Sequence, residues 1–165
     1  VYGTITGLKV TGNVGLNQDS ASVPGLALSE DRMGMSVSVG QLNSSTTVKA
    51  EDVLVGVPGE VVSMASDTGT VIELFGRSGA LNGTSSLAFS QDTAAVVDTC
   101  EKGDRFGTVV LARDVNRDSF ADALISTIGE DITNPPAAPV AVPQSAQLLF
   151  GSASGVTTNN NRLFP

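Results

Sequence analysis

The chain has 165 residues, enough for one domain with its own core. Its 9 Lys and Arg against 17 Asp and Glu give a formal charge of −8, which argues against a nucleic-acid partner. It has no histidine, so the commonest general base, the Ser-His and Cys-His nucleophile pairs and the usual zinc ligand are all missing.

Hydrophobic residues make up 41% of the chain, but aromatics only 4% and Trp none, so small and β-branched side chains with Gly must build the core. That suits short strands and many turns. No window sustains a 3.6-residue apolar period, and helix is expected to be minimal. Residues 1–20 read as the third and fourth strands of a unit. Met33–Val39 then reads as a first strand, Asp52–Pro58 as a second, Gly69–Gly76 as a third and Ser85–Asp92 as a fourth. The series restarts with Phe106–Ala112, Asp122–Ile128, Ser145–Gly151 and Asn160–Pro165. Between the last two pairs, Asn134 to Pro143 is proline-rich and is expected to be an extended loop, because proline removes ladder donors. No segment approaches the roughly 18 consecutive apolar residues of a membrane span. The N-terminal stretch VYGTITGLKV shows no signal-peptide pattern, so a leader was either removed or absent. Acidity, few Lys and Asn/Ser/Thr/Gly richness lean towards a secreted, extracellular protein.

The strand series is an internal repeat. Tyr2-Gly3, Phe75-Gly76 and Phe150-Gly151 are spaced by 73 and 75 residues. Gln18-Asp19-Ser20 recurs as Gln91-Asp92-Thr93, and Asp31-Arg32-Met33-Gly34 as Asp104-Arg105-Phe106-Gly107, both at 73. Four-stranded units repeated radially are how a β-propeller limits its exposed edges. The expected fold is therefore all-β: two full four-stranded antiparallel blades (residues 21–93 and 94–165) plus a half blade (1–20). Such a count cannot close a ring alone, since propellers use about four to eight blades. A stacked solenoid is the other architecture that accepts partial repeats.

The blade pattern resembles the FG-GAP repeat of integrin α-subunit propellers and of secreted actinobacterial proteins. Phe106-Gly107 stands where that family has its FG, with Met33-Gly34 as a degraded copy. Gly56-Val57-Pro58-Gly59-Glu60 is similar to the GAP-Gly-Glu segment, and Ser126-Thr127-Ile128-Gly129-Glu130-Asp131 is its divergent counterpart. The resemblance implies a seven-bladed ring when complete and an Asp-rich calcium loop between the first two strands. Here that loop offers Asp114, Asn116 and Asp118 at positions 1, 3 and 5, the Phe120 carbonyl at 7 and Asp122 at 9. Calcium takes six to eight hard oxygens at about 2.3–2.6 Å, which such a loop can largely supply. Position 6 is Ser119 rather than the favoured Gly, which weakens affinity without removing a ligand. The other reading is a solvated turn whose Asp and Asn side chains bond their own backbone. In the preceding unit Gln41 replaces the first ligand and Lys49 brings a cation, so no calcium is expected there.

Several smaller features carry bland readings. Glu51-Asp52 and Glu130-Asp131 read as solvated acids. Asp31-Arg32 and Asp104-Arg105 read either as ion pairs tying adjacent units or as solvated charges. Lys102-Gly103-Asp104 matches a short adhesion tripeptide, yet stands where Gly-Asp ordinarily precedes FG.

The function expected is non-enzymatic: a secreted, calcium-stabilised propeller part that displays loops to an extracellular protein partner. Alternatives are an accessory or modulator propeller of an extracellular hydrolase or peptidase and, less favoured without Trp, a carbohydrate-binding module. The expected partners are the remaining propeller blades, on another chain or on a cleaved N-terminal part. Val1 falls inside a third strand, which favours a processing cut, and the single Cys100 then either bridges to the missing piece or is a half-buried residue without a role.

Overall fold

The computed structural model describes residues 2–44, 50–130 and 144–165. Among them regular structure is entirely β and antiparallel, with no helix. A small hairpin pairs β1 (Tyr2–Thr4) with β2 (Gly7–Lys9). One four-stranded sheet follows in chain order: β3 (Val37–Gly40), β4 (Asp52–Val57), β5 (Thr70–Leu74) and β6 (Leu87–Phe89). A second repeats that order with β7 (Val110–Arg113), β8 (Asp122–Thr127), β9 (Ser145–Phe150) and β10 (Thr157–Phe164). The four strands expected in each unit are present.

Their boundaries need correction. The first strands begin at Val37 and Val110, not at Met33 and Phe106. Arg32 and Gly34 (φ 59° and 88°), like Arg105 and Gly107 (56° and 89°), adopt left-handed backbone, so the chain turns there instead of extending. Gly34 and Gly107 donate their N–H groups to the Gly56 and Ser126 carbonyls, both at 3.0 Å. The fourth strand of the first unit shrinks to three residues because Ser90 and Thr93 close a turn, Ser90 N–H donating to Thr93 Oγ1 at 2.9 Å. The final strand starts earlier, at Thr157, with a register shift between Thr157 and Arg162. The proline-rich 134–143 stretch lies outside the described residues.

The two sheets pack face to face. Side chains alternate across a strand, so register decides which residues meet. Ser38, Leu54 and Glu73 form one row across β3, β4 and β5, and all three face the second sheet. Ser38 Oγ accepts the Ala112 N–H at 2.9 Å and Glu73 Oε2 accepts the Val156 N–H at 3.0 Å. Leu54 enters the main core with Phe106, Val110, Ile125 and Leu149. Backbones approach so closely that a Cβ on Gly56 would stand 2.0 Å from the Gly107 oxygen.

The outward faces of the stack differ. On the first sheet, β4 and β5 bury Val55, Ile72 and Leu74 beneath the preceding segment, through Leu16, Val23 and Met33, while Val37 and Val39 of β3 stay exposed. On the second sheet, Leu111, Leu124 and Leu148 form an uncovered row across β7, β8 and β9. With Phe164 and Val115 they line an apolar groove of about 420 Å³.

Candidate metal sites

The β7–β8 hairpin carries the residues expected to hold a cation. Arg113 and Asp122 face each other at the root of its ladder, and the loop between them curls through left-handed backbone at Arg117 and Ser119 (φ 66° and 78°). The second of these is the sixth loop position, where the sequence lacks its favoured Gly. Asp114, Asn116 and Asp118 are exposed, Phe120 is half-buried and Asp122 is buried.

Hydrogen bonds within the loop set its shape. Asp114 accepts the N–H groups of Arg117 at 2.6 Å and Ser119 at 3.1 Å, one on each carboxylate oxygen. Asn116 Oδ1 accepts the Asp118 N–H at 2.9 Å, and Asp118 Oδ1 accepts the Phe120 N–H at 2.8 Å. Asp122 stands back from this rim: its oxygens accept the Val115 N–H at 2.9 Å and the Gly151 N–H at 3.0 Å. The carboxylates of Asp114, Asp118 and Asp122 are accordingly not drawn within 4.8 Å of one another as a trio. The donor set is nonetheless all oxygen, as a hard cation requires, and an oxygen that accepts one N–H retains a lone pair for a metal. The same bonds also close the turn without an ion. Asp114, Asn116 and Asp118 form the exposed arc of that oxygen donor set.

Asp122 has a structural task, legible from its counterpart. Asp52, at the root of the β3–β4 hairpin, accepts Leu42 N–H at 2.9 Å, Asn43 N–H at 3.2 Å, Asn43 Nδ2–H at 3.0 Å and Gly76 N–H at 2.8 Å. Gly76 and Gly151 follow β5 and β9, so each aspartate clamps its hairpin to the end of the third strand. Burial pushes the Asp52 carboxyl up from the ordinary value, and these donors oppose the rise. Lys49 of that first hairpin lies outside the described residues; Gln41 there turns its Nε2 to the Asn43 carbonyl at 2.8 Å.

A second device recurs in both units. Gln18 Nε2 donates to Glu60 Oε2, and Gln91 Nε2 donates to Glu130 Oε2 at 2.5 Å. The Gln of the Gln-Asp landmark and the Glu of the Gly-Glu landmark are thus partners. This corrects the reading of solvated acids: Glu130 is 1% exposed and Asp52 is fully buried, while Glu51 is exposed and Asp131 lies outside the described residues. Burial first, and then Asp98, Asp104 and Glu101, push the Glu130 carboxyl up to about 7.

The first Asp-Arg landmark does not tie the units through an ion pair of Arg32 among the described residues. Arg32 pairs with Glu30 of its own exposed loop at 2.9 Å. Backbone makes the tie instead: Arg105 N–H donates to the Asp67 carbonyl at 2.9 Å and Phe106 N–H to Thr68 at 2.9 Å. Asp104 is fully buried, which removes it from any adhesive tripeptide. Cys100 is a free thiol here, half-buried, with its pKa raised by burial. Neither the Gln–Glu pairing nor the burial of Asp52 was expected; the shared 73-residue offset of Gln18 and Gln91 was the signal that could have exposed the first.

No protein-family model matches the chain, and no curated protein matches it.

Proposed function

We propose that the chain is part of a secreted FG-GAP-type β-propeller, non-enzymatic, which serves as a rigid scaffold for protein–protein contact. One observation carries this reading. The uncovered Leu111–Leu124–Leu148 row occupies, unit for unit, the register positions of Ser38, Leu54 and Glu73, the row by which the first sheet holds the second. A third four-stranded unit is the partner such a face fits, and repetition of that contact is how blades build a propeller. The remaining blades, on another chain or on a detached part of the same one, are therefore the first partner proposed. An extracellular protein held by the displayed hairpins is the second.

Calcium on Asp114, Asn116 and Asp118, with the Phe120 carbonyl and Asp122 behind them, would stiffen one hairpin by bridging its oxygens. A modulator of an extracellular hydrolase is compatible with the same surface, but no observed feature favours it.

Native mass spectrometry tests the reading. The chain is expected to form species heavier than its monomer, and Leu124→Glu is expected to return it to monomer without loss of β-sheet circular dichroism. A strictly monomeric chain at all concentrations, indifferent to added blades, would overturn it.

A further inference from the structure

A second group of acids lies away from the β7–β8 hairpin. One carboxylate oxygen from each of Asp98, Glu101 and Glu130 lies within 4.8 Å of the other two. Asp98 and Glu101 stand, partly exposed, on the loop before β7, and Glu130 follows β8. Neither Asp98 nor Glu130 has a cationic partner within salt-bridge distance among the described residues.

Glu130 is the decisive member. It is 1% exposed, and its Oε2 is occupied by Gln91 Nε2 at 2.5 Å and Ser145 Oγ at 3.4 Å. Its Oε1 is buried and has no hydrogen-bond partner. A buried oxygen left unsatisfied on a carboxylate that comes within 4.8 Å of two further acids is costly unless something positive joins the group. We propose that Asp98, Glu101 and Glu130 form a divalent-cation site of the second unit, separate from the hairpin loop and suited to calcium.

The first unit acts as an internal control. It builds the same framework, Gln18 Nε2 on Glu60 Oε2. At the positions of Asp98 and Glu101, however, it carries Gly25 and Leu28, each 73 residues earlier. Asp98 even keeps the left-handed backbone that suits the glycine, φ 81° against 93° at Gly25. The framework therefore stands without the two acids, and the second unit adds them around its buried glutamate.

The donors choose the ion. They are all carboxylate oxygens, and the chain has no histidine, so zinc has no nitrogen ligand here. Oxygens at this spacing can share a calcium ion with bonds of about 2.3–2.6 Å, water filling the exposed side next to Asp98 and Glu101. Magnesium would draw them tighter, to about 2.0–2.1 Å, and keep more of its waters. The ion would pin the loop before β7 to the end of β8.

Calcium titration of the full, chelator-stripped chain by calorimetry, with bound ions counted by native mass spectrometry, tests this. The variant Asp98→Gly/Glu101→Leu gives the second unit the first unit's residues and is expected to bind one calcium ion fewer than the parent chain. Asp118→Asn, in the hairpin loop, is expected to leave that ion in place. The two proposals thus fail separately: without a hairpin ion the parent binds one and the paired variant none. Glu101→Gln, which keeps shape and removes charge, is expected to weaken the same ion at least about tenfold should the paired variant not fold. Retention of every ion at unchanged affinity in these variants overturns the site. Magnesium binding tighter than calcium, with the same dependence on Asp98 and Glu101, overturns the choice of ion.

Discussion

Glu73 sits between the sheets, fully buried, with Oε2 on the Val156 amide and Oε1 unpaired. Burial pushes its pKa up to about 7 from an ordinary 4.5, against that single backbone donor, with Asp52 adding a smaller push upward. The folded chain therefore holds a proton, over the window from 4.5 to about 7, that the unfolded chain has released. Its contribution to stability is complete below the lower value and is lost as pH rises through the upper one. Urea unfolding at pH 5 and pH 8 is expected to show lower stability at pH 8, with Glu73 responsible for something on the order of 2–3 kcal/mol. Glu73→Gln is expected to flatten that part of the slope; an unchanged slope would refute the assignment. Gly56 is a second single residue with a large expected effect. Its missing Cβ makes room for the Gly107 carbonyl, and the clash would be with backbone, which cannot rotate aside. Gly56→Ala is expected to cost roughly 2–4 kcal/mol in denaturant unfolding through separation of the sheets.

Each hairpin is held at its root by one buried aspartate, whose structural role can be tested in the absence of any metal. Asp122→Ala is expected to destabilise the chain by about 1–3 kcal/mol even in chelator, because the Val115 and Gly151 amides lose their acceptor. Thermal melts in chelator check this, and an effect seen only with calcium would instead make Asp122 purely a ligand. The strands themselves were legible in the sequence: β-branched alternation between Gly, Asn and Ser clusters located each of the eight strands of the two sheets. What misled was the Arg-X-Gly step, where Met33 and Phe106 look like the start of a strand. Positive φ at the flanking Arg and Gly is a turn property that alternation does not report. The hairpin loop was legible as a set of oxygen donors, but not how they are used, because hydrogen bonding to local amides leaves the same Asp and Asn pattern as metal binding. Asp98, Glu101 and Glu130 were missed for another reason. They belong to two segments some thirty residues apart and meet only when the turn before β7 folds against the end of β8.

At the scale of the whole molecule, two sheets share one core while each turns a different surface outward. The exposed Val37 and Val39 edge belongs to the face opposite the Ser38 row, so it and the leucine row lie at opposite ends of the stack. A contact between them would be head to tail. Two variants blocked at opposite ends, Leu124→Glu and Val37→Glu, are each expected to be monomeric alone and to form a one-to-one dimer when mixed, since one sound end remains on each. Sedimentation velocity of the mixture checks this, and no heavier species on mixing would mean that the two ends are not complements.

A joint whose two halves differ contains no instruction to stop. A surface that is its own complement is used up when two copies meet, but a head-to-tail joint always leaves one free end on each side of the growing series. Whether growth halts then depends on whether the rotation between successive units divides a full turn evenly: if it does, the series closes on itself, and if not, it winds into an open spiral. The backbone contacts at Gly56 and Gly107 that set the spacing of the sheets also help to set that rotation, so a change of one methyl group there could turn a closed assembly into a fibre.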